Sequence, residues 1–105
     1  MKPSNDREAV TLILQGLEAE GWNTYMVQDD TYDRDPANNS KVDNVAQAVD
    51  LVMGVDEAFV YLLRKDDGRQ GYIYFVLGNE PEEVACDYTT NLDPELNNIT
   101  DPWWN

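Results

Sequence analysis

Apolar residues recur at helical spacing in two separate stretches of the chain. In the first, Asn5 and Glu8 form a capping-box pattern, and the apolar stripe that follows predicts a helix over residues 6–20 that ends at Gly21. In the second, Ser40 and Asp43 precede a valine-rich stripe, which predicts a helix that ends at Gly54. The two stripes consist of Ala9, Val10, Ile13, Leu14 and Leu17, and of Val42, Val45, Ala46, Val49, Val52 and Met53.

Strand-forming residues dominate three other stretches. Residues 22–28 contain Trp, Thr, Tyr, Met and Val, and predict one strand. Residues 58–63 and 72–77 predict a β-hairpin, because the Asp67-Gly68 pair between them is typical of a two-residue type I′ turn.

The predicted hairpin has two faces of different character. A turn centred on Asp67 and Gly68 pairs residues 58, 60 and 62 with residues 77, 75 and 73, which gives an aliphatic face with one Phe that we expect to carry the helices. The same turn pairs residues 59, 61 and 63 with residues 76, 74 and 72 on the opposite face, which holds Tyr61, Tyr72 and Tyr74. Tyrosine side chains favour a site with one wet end or a hydrogen-bond partner, so we expect this face to be at least partly covered.

The remaining segments are polar. Residues 29–40 indicate a surface loop, and Pro81 followed by Glu82 and Glu83 predicts a short helix within residues 81–88. The predicted fold class is α+β, a two-layer sandwich in the order α-β-α-β-β with a C-terminal β-hairpin, a short helix and a polar tail. Residues 1–90 would form a single domain, and residues 91–105 an acidic tail that ends in Trp and packs back on the sheet.

The charge of the chain excludes several classes of partner. The 105 residues carry a net charge of −14, which argues against binding nucleic acid or an anionic membrane, since both attract Lys and Arg. The longest apolar runs have six residues, far below the roughly 18 of a membrane span. The first twenty residues show no signal-peptide pattern, and Cys86 is the only cysteine, so the sequence predicts a cytoplasmic protein.

The sequence also argues against most enzyme classes. It contains no histidine, which removes the usual general base and the Ser-His-Asp and Cys-His schemes. No cation lies near Cys86 in the sequence to activate the thiol, so we expect Cys86 to be a small core residue. We therefore expect a protein that is not an enzyme and has no cofactor.

An acidic loop offers one alternative function. Oxygen ligands of the kind that bind calcium or magnesium occur at Asp29, Asp30, Asp33 and Asp35. The spacing departs from an EF-hand loop. With Asp33 as position 1 of that loop, Asn38 stands at position 6, where glycine is required, and Asn44 at position 12, where a bidentate glutamate is required. A cation-binding domain built on this loop stays open beside the alternative of a solvated acidic loop.

The distribution of charge favours a protein partner. Residues 70–105 contain seven acidic residues and no Lys or Arg. We expect the acidic surface to bind a basic protein surface, in particular a nucleic-acid-binding site, because 14 charges match about 24 Å of duplex. The residues expected to bind the partner are the acids Glu80, Glu82, Glu83, Asp87, Asp93 and Glu95 and the aromatic anchors Tyr61, Tyr72, Tyr74, Trp103 and Trp104.

Three alternatives to this hypothesis stay open. The acidity alone would serve solubility or a high-salt cytoplasm. The C-terminal tryptophans would pack onto the three tyrosines within the same chain. Finally, the tyrosine face would join two copies in a homodimer, as in a scaffold or assembly protein.

One segment carries a resemblance. Residues 71–89, GYIYFVLGNEPEEVACDYT, resemble small acidic proteins encoded by bacteriophages and prophages. The resemblance covers about a fifth of the chain and implies no activity or site residue. It implies a phage accessory protein, a class in which small acidic members often inhibit host factors.

Overall fold

The described part of the chain, residues 2–29 and 39–104 in this computed structural model, forms three α-helices and one five-stranded sheet. The helices are α1 (Asp6–Ala19), α2 (Val45–Val55) and α3 (Asp93–Thr100). The strands are β1 (Trp22–Asp29), β2 (Asn39–Lys41), β3 (Glu57–Arg64), β4 (Gln70–Val76) and β5 (Ala85–Tyr88). Short 3₁₀ turns span Pro81–Glu83, Thr90–Leu92 and Asp101–Trp104. The predicted α+β class is confirmed, with more elements than the sequence pattern indicates.

Helix α1 begins and ends close to where the sequence predicts. The Asn5 side chain accepts a hydrogen bond from the Glu8 backbone N–H at 2.8 Å, while the Glu8 carboxylate accepts from Ser4 N at 2.9 Å. At the other end, Gly21 takes a φ of +95° and donates to the Glu18 carbonyl. Glycine adopts this left-handed conformation without steric cost, so Gly21 ends the helix and leads into β1.

The start of α2 corrects the sequence prediction. Ser40 does not cap this helix, because it lies in β2, where it pairs with Val27. The cap is Asn44, which accepts from Gln47 N at 2.9 Å, and Gln47 in turn accepts from Asp43 N at 2.7 Å. This second capping box displaces the helix start by four residues relative to Ser40.

The predicted hairpin forms between β3 and β4, but its register differs by two residues. Phe59 pairs with Tyr74 and Tyr61 with Tyr72, and the loop comprises residues 65–68 rather than two residues. Gly68 N donates to the Arg64 carbonyl at 2.9 Å, and Gly68 takes a φ of +73° in the last loop position. A two-residue slip keeps every side chain on its predicted face, so the aliphatic and tyrosine faces both persist.

The segment after β4 is largely a strand, not the predicted helix. Only Pro81–Glu83 is helical, as one 3₁₀ turn, and Ala85–Tyr88 pairs antiparallel with β4. The open hydrogen-bonding edge of β4 gives this segment more partners than an isolated short helix would have. Cys86 lies at the irregularity in this pairing and is exposed, so the expectation that it is a core residue is wrong.

The helices pack on the aliphatic face of the sheet. All five strands are antiparallel in the order β2-β1-β3-β4-β5, and α1 and α2 contact the central strands. The buried core combines the apolar stripes of both helices with this face, including Trp22, Val60, Leu62, Ile73 and Phe75. The C-terminal residues do not form a polar tail, because Leu92, Leu96 and Trp103 are part of the same core and α3 packs against α1.

The structure contains no membrane-spanning helix within the described residues. None of these helices combines the length and apolar character that a bilayer requires.

Candidate protein-interaction surface

Six carboxylates from three separate segments lie at one end of the molecule. Asp6 accepts a hydrogen bond from Gly78 N at 3.1 Å, which joins the start of α1 to the turn after β4. At the same turn, Leu77 N donates to the Asp56 carbonyl at 2.8 Å, and Glu57 pairs with Val76. The 3₁₀ turn beyond it packs against α1. We call this surface the acidic end; it comprises Asp6, Asp56, Glu57, Glu80, Glu82 and Glu83.

The carboxylates of the acidic end form no ion pair with a described Lys or Arg side chain. None of its six carboxylates lies within 4.0 Å of a Lys or Arg nitrogen in the described part of the chain. The described arginines pair with other carboxylates instead, as Arg7 does with Asp50 at 2.8 Å. Asp56, Glu80 and Glu83 are exposed and Asp6, Glu57 and Glu82 are partly exposed, so these charges are available to an external cation.

Three cationic residues, Arg64, Lys65 and Arg69, lie at the opposite end of the sheet. Arg64 donates to Glu95 at 2.9 Å, Arg69 donates to Asp67 at 2.7 Å, and Lys65 N donates to the Gly21 carbonyl. The Arg64 and Arg69 guanidinium carbons lie 5.9 and 5.8 Å from the centre of the Trp22 ring, a favourable cation–π arrangement. We call this region the hairpin end. Strand β3 joins the two ends, and its seven residue steps at about 3.3 Å separate them by about 23 Å.

The structure distributes the six sequence-predicted acids over several places. Glu80, Glu82 and Glu83 lie together at the acidic end. Asp87 is exposed on β5, opposite Tyr74, and accepts from Tyr88 N. Asp93 and Glu95 belong to α3, where Glu95 is paired with Arg64 and is only 17% exposed in its side chain. The last three residues thus do not extend the surface formed by the first three.

Two side chains have shifted acidities, both away from the acidic end. The Arg69 backbone N–H donates to Asp67 and lowers the pKa of that carboxyl, and the Arg69 guanidinium adds to the effect. Burial raises the pKa of Tyr88, and its hydrogen bond to the Asp93 carboxylate raises it further. Both shifts reflect local structural contacts, and neither marks an acid or base placed for catalysis.

The tyrosine face forms a connected aromatic cluster on the side of the sheet opposite the core. The Phe59 and Tyr74 rings stack at 4.5 Å, and Phe59 meets Tyr72 edge-on at 5.5 Å. The Tyr61 hydroxyl donates to Gln28 at 2.9 Å. Tyr61, Tyr72 and Tyr74 are all half-buried, as expected for a partly covered face. The structure therefore brings these three predicted anchors together.

The predicted anchor Trp103 does not join that cluster. Trp103 is only 4% exposed and lies in the core, with α3 packed on α1, so it does not pack onto the tyrosines. The side chain of Trp104 lies outside the described residues. The predicted pairing of the tail tryptophans with the tyrosine face is wrong for Trp103.

Most of the predicted cation-binding loop lies outside the described residues. Asp30, Asp33 and Asp35 lie outside the described residues, and Asp29 is the last residue of β1. Within the described ranges, no group of three or more acidic or cysteine side chains is arranged to hold a metal ion.

Sequence reasoning missed three members of the acidic end. Asp6 is a first-turn residue of α1, and Asp56 and Glu57 lie between α2 and β3, so they appear in the sequence as isolated charges. The available signal was the antiparallel pairing of the hairpin strands, which places the start of β3 beside the end of β4. That rule alone brings Glu57 next to the segment that carries Glu80.

Comparison with known proteins adds no assignment. No protein-family model, curated protein or solved structure matches this chain. The resemblance of residues 71–89 to phage proteins stays a prediction, and the function is argued from the surface itself.

Proposed function

We propose that this protein binds a basic surface of another protein through its acidic end, and that the surface it covers is a nucleic-acid-binding site. In this proposal the chain acts as a binding protein without catalysis. By occupying a site that normally holds phosphates, it would inhibit nucleic-acid binding by its partner.

The observation that carries the proposal is the segregation of charge. Six carboxylates gather at one end without a described ion pair, while Arg64, Lys65 and Arg69 lie at the other end. Neighbouring carboxylates on a strand face or a helical turn lie about 5 to 7 Å apart, so each can meet a separate Lys or Arg side chain that otherwise contacts phosphate. The resulting attraction would steer association and weaken with salt.

The tyrosine face would supply a neighbouring contact. Glu57 begins β3, and Phe59 and Tyr61 follow it along the same strand. An aromatic cluster next to a charged rim is typical of protein interfaces, in which charge selects the partner and aromatic side chains contribute most of the binding energy.

The test is capture of partners on immobilised protein variants. A nuclease-treated bacterial extract is passed at about 50 mM salt over the wild-type protein and over the triple variant E80Q/E82Q/E83Q, and bound proteins are eluted with a salt gradient. Exposed charge pairs contribute about 0.2 to 1 kcal/mol each, so three losses should weaken binding by about threefold to a hundredfold. Captured proteins are then assayed for DNA or RNA binding with and without the wild-type chain.

A matched variant controls for total charge. E18Q/E20Q/D66N makes the same change in net charge at the hairpin end, about 23 Å away and beyond the Debye length of about 14 Å at this salt concentration. Selective loss of capture in E80Q/E82Q/E83Q supports the proposal. Equal loss in both variants would assign capture to overall charge, and unchanged capture in both would reject the acidic end as the binding surface.

A further inference from the structure

Strand β2 leaves one hydrogen-bonding edge of the sheet open. It pairs with β1 on one side and is the outermost strand of the described sheet. Val42 N donates to the Tyr25 carbonyl, which makes these two residues a hydrogen-bonded pair. Because such pairs alternate in an antiparallel ladder, the backbone groups of Ser40 face β1, whereas those of Asn39 and Lys41 face outward.

The opposite edge of the sheet is protected. Directly after β5, Thr89 N donates to the Tyr72 carbonyl, so the N–H of Tyr88 faces outward by the same alternation. That N–H donates to the side chain of Asp87 at 2.9 Å, and the pairing of β5 with β4 is irregular at Cys86. Bulges and local side-chain bonds are common devices that block strand addition. No such bond engages the outward groups of Asn39 or Lys41 in the described structure.

A groove lies between β2 and α2, directly below this open edge. A cavity of about 150 Å³ is lined by Val27, Asp29, Ser40, Leu51 and Val55. A shallower depression continues from it along Lys41, Val42, Asp43, Gln47, Asp50 and Leu51. Leu51 lines both and is 37% exposed, which is unusual for a large apolar residue beside a core. A cavity of about this volume accommodates an apolar group the size of benzene, so one aliphatic side chain fits.

The charge of the groove selects among possible occupants. Three of its lining residues are carboxylates, Asp29, Asp43 and Asp50, and one is an ammonium, Lys41. Arg7 pairs with Asp50 from the neighbouring helix. Asp43 forms no ion pair with a described Lys or Arg, so this part of the lining favours a chain that carries positive charge beside its apolar side chain.

We propose that an extended, basic peptide segment of a partner protein adds to β2 as a sixth strand. Its backbone would bond to the outward groups of Asn39 and Lys41, and one aliphatic side chain would enter the cavity beside Leu51. Alternate side chains of an added strand point to the same face, so a lysine two residues away would lie along Asp43. This site is separate from the acidic end and rests on different observations.

The test uses a defined peptide probe. A blocked nine-residue peptide of alternating Lys and Thr, with Leu at the centre and Lys two residues to either side of it, is titrated into the full chain. In a second peptide, Asp replaces that Leu. Backbone addition should slow amide exchange of Asn39 and Lys41 by about tenfold or more at saturation and shift the Leu51 methyl signals. Only the Leu peptide should bind. Unchanged exchange at both amides would overturn the proposal.

Two pairs of variants separate strand addition from general attraction. K41P removes an outward N–H without loss of a bond to β1, whereas K41A keeps that N–H, so only K41P should weaken binding by about tenfold. L51D should also abolish binding, whereas L63D alters a leucine of equal exposure, 37%, on the tyrosine face and should not. Equal affinities within either pair would contradict the proposal.

The same experiment distinguishes this site from the proposed function. Binding that moves only signals of the acidic end, and that E80Q/E82Q/E83Q abolishes, would overturn strand addition and leave the proposed function in place. Loss of binding in K41P with E80Q/E82Q/E83Q unaffected would support strand addition alone. Without peptide, the amide exchange of Lys41 could slow as the protein concentration rises. This result would assign the open edge to a second copy of the chain and overturn the peptide proposal.

Discussion

Asp56 occupies a backbone conformation that favours glycine. It joins α2 to β3 with φ 69° and ψ −35°, and it is the one non-glycine residue with positive φ in the described chain. Its carbonyl accepts from Leu77 N, so the conformation is held in place by the hairpin. Its carboxylate also lies at the C-terminus of α2, where the helix dipole disfavours a negative charge.

We expect Asp56→Gly to stabilise the fold. Relief of the positive φ and of the charge at the helix end should outweigh the added freedom of the unfolded chain by about 0.5 to 1 kcal/mol. Urea unfolding measures this change. Asp56→Asn removes the charge alone and should recover part of the gain, whereas Asp56→Ala should fall below both. An Ala variant as stable as the Gly variant would contradict the strain argument.

At the scale of elements, a glycine sets the distance between α1 and α3. A Cβ placed on Gly16 would lie 2.6 Å from Ile99 Cδ1 and 2.7 Å from Ile99 Cγ1. Glycine within a helix costs roughly 0.5 to 1 kcal/mol relative to alanine, so its presence here reflects close packing rather than helix propensity. Through this contact, the C-terminal residues belong to the domain.

Gly16→Ala should therefore destabilise the protein despite its better helix propensity. Displacement of Ile99 in a packed interface costs about 1 to 3 kcal/mol, which exceeds the propensity gain. Denaturant unfolding of Gly16→Ala, Ile99→Ala and the double variant forms a thermodynamic cycle. The double variant should be more stable than the sum of the single changes predicts, and strictly additive effects would show that the two side chains do not compete for space.

Elements with their own local signal were predictable, and those formed by distant partners were not. The apolar stripe and Gly21 define α1, and the alternation of β3 and β4 assigns each side chain to the correct face. Strand β2 has three polar residues and exists because β1 offers a hydrogen-bonding edge. The loop of residues 65–68 also lacks a unique sequence signal, because Asp67-Gly68 suits both a two-residue and a longer hairpin.

The acidic end illustrates the same limit at the level of the site. Glu80, Glu82 and Glu83 are adjacent in sequence and were predictable as a group. Their association with Asp6 depends on a hydrogen bond to Gly78, 72 residues further along the chain. Glu95 was misleading in the sequence, because its neutralisation by Arg64 requires α3 to pack beside the end of β3.

At the scale of the whole molecule, the net charge of −14 acts against the folded state. Like charges repel more strongly when the chain is compact, and this chain has a radius of gyration of only 12.7 Å. The hairpin end offsets part of its repulsion through the ion pairs of Arg64 and Arg69. The acidic end combines six carboxylates with no described ion pair, so the repulsion should be strongest there.

The carboxylates of the acidic end should therefore account for most of the dependence of Tm on salt concentration. Between about 20 mM and about 500 mM NaCl, screening should raise the Tm of the wild-type chain by a few degrees, since a change of about 1 kcal/mol shifts the Tm of such a domain by about 4 to 8 °C. E80Q/E82Q/E83Q should lose much of this salt response, whereas E18Q/E20Q/D66N, with the same net charge, should keep most of it. Equal loss in the two variants would indicate acidity spread for solubility or a high-salt environment. A response confined to the acidic end would mean that the chain retains a destabilising cluster in one place, which is expected when binding a partner compensates for the cost.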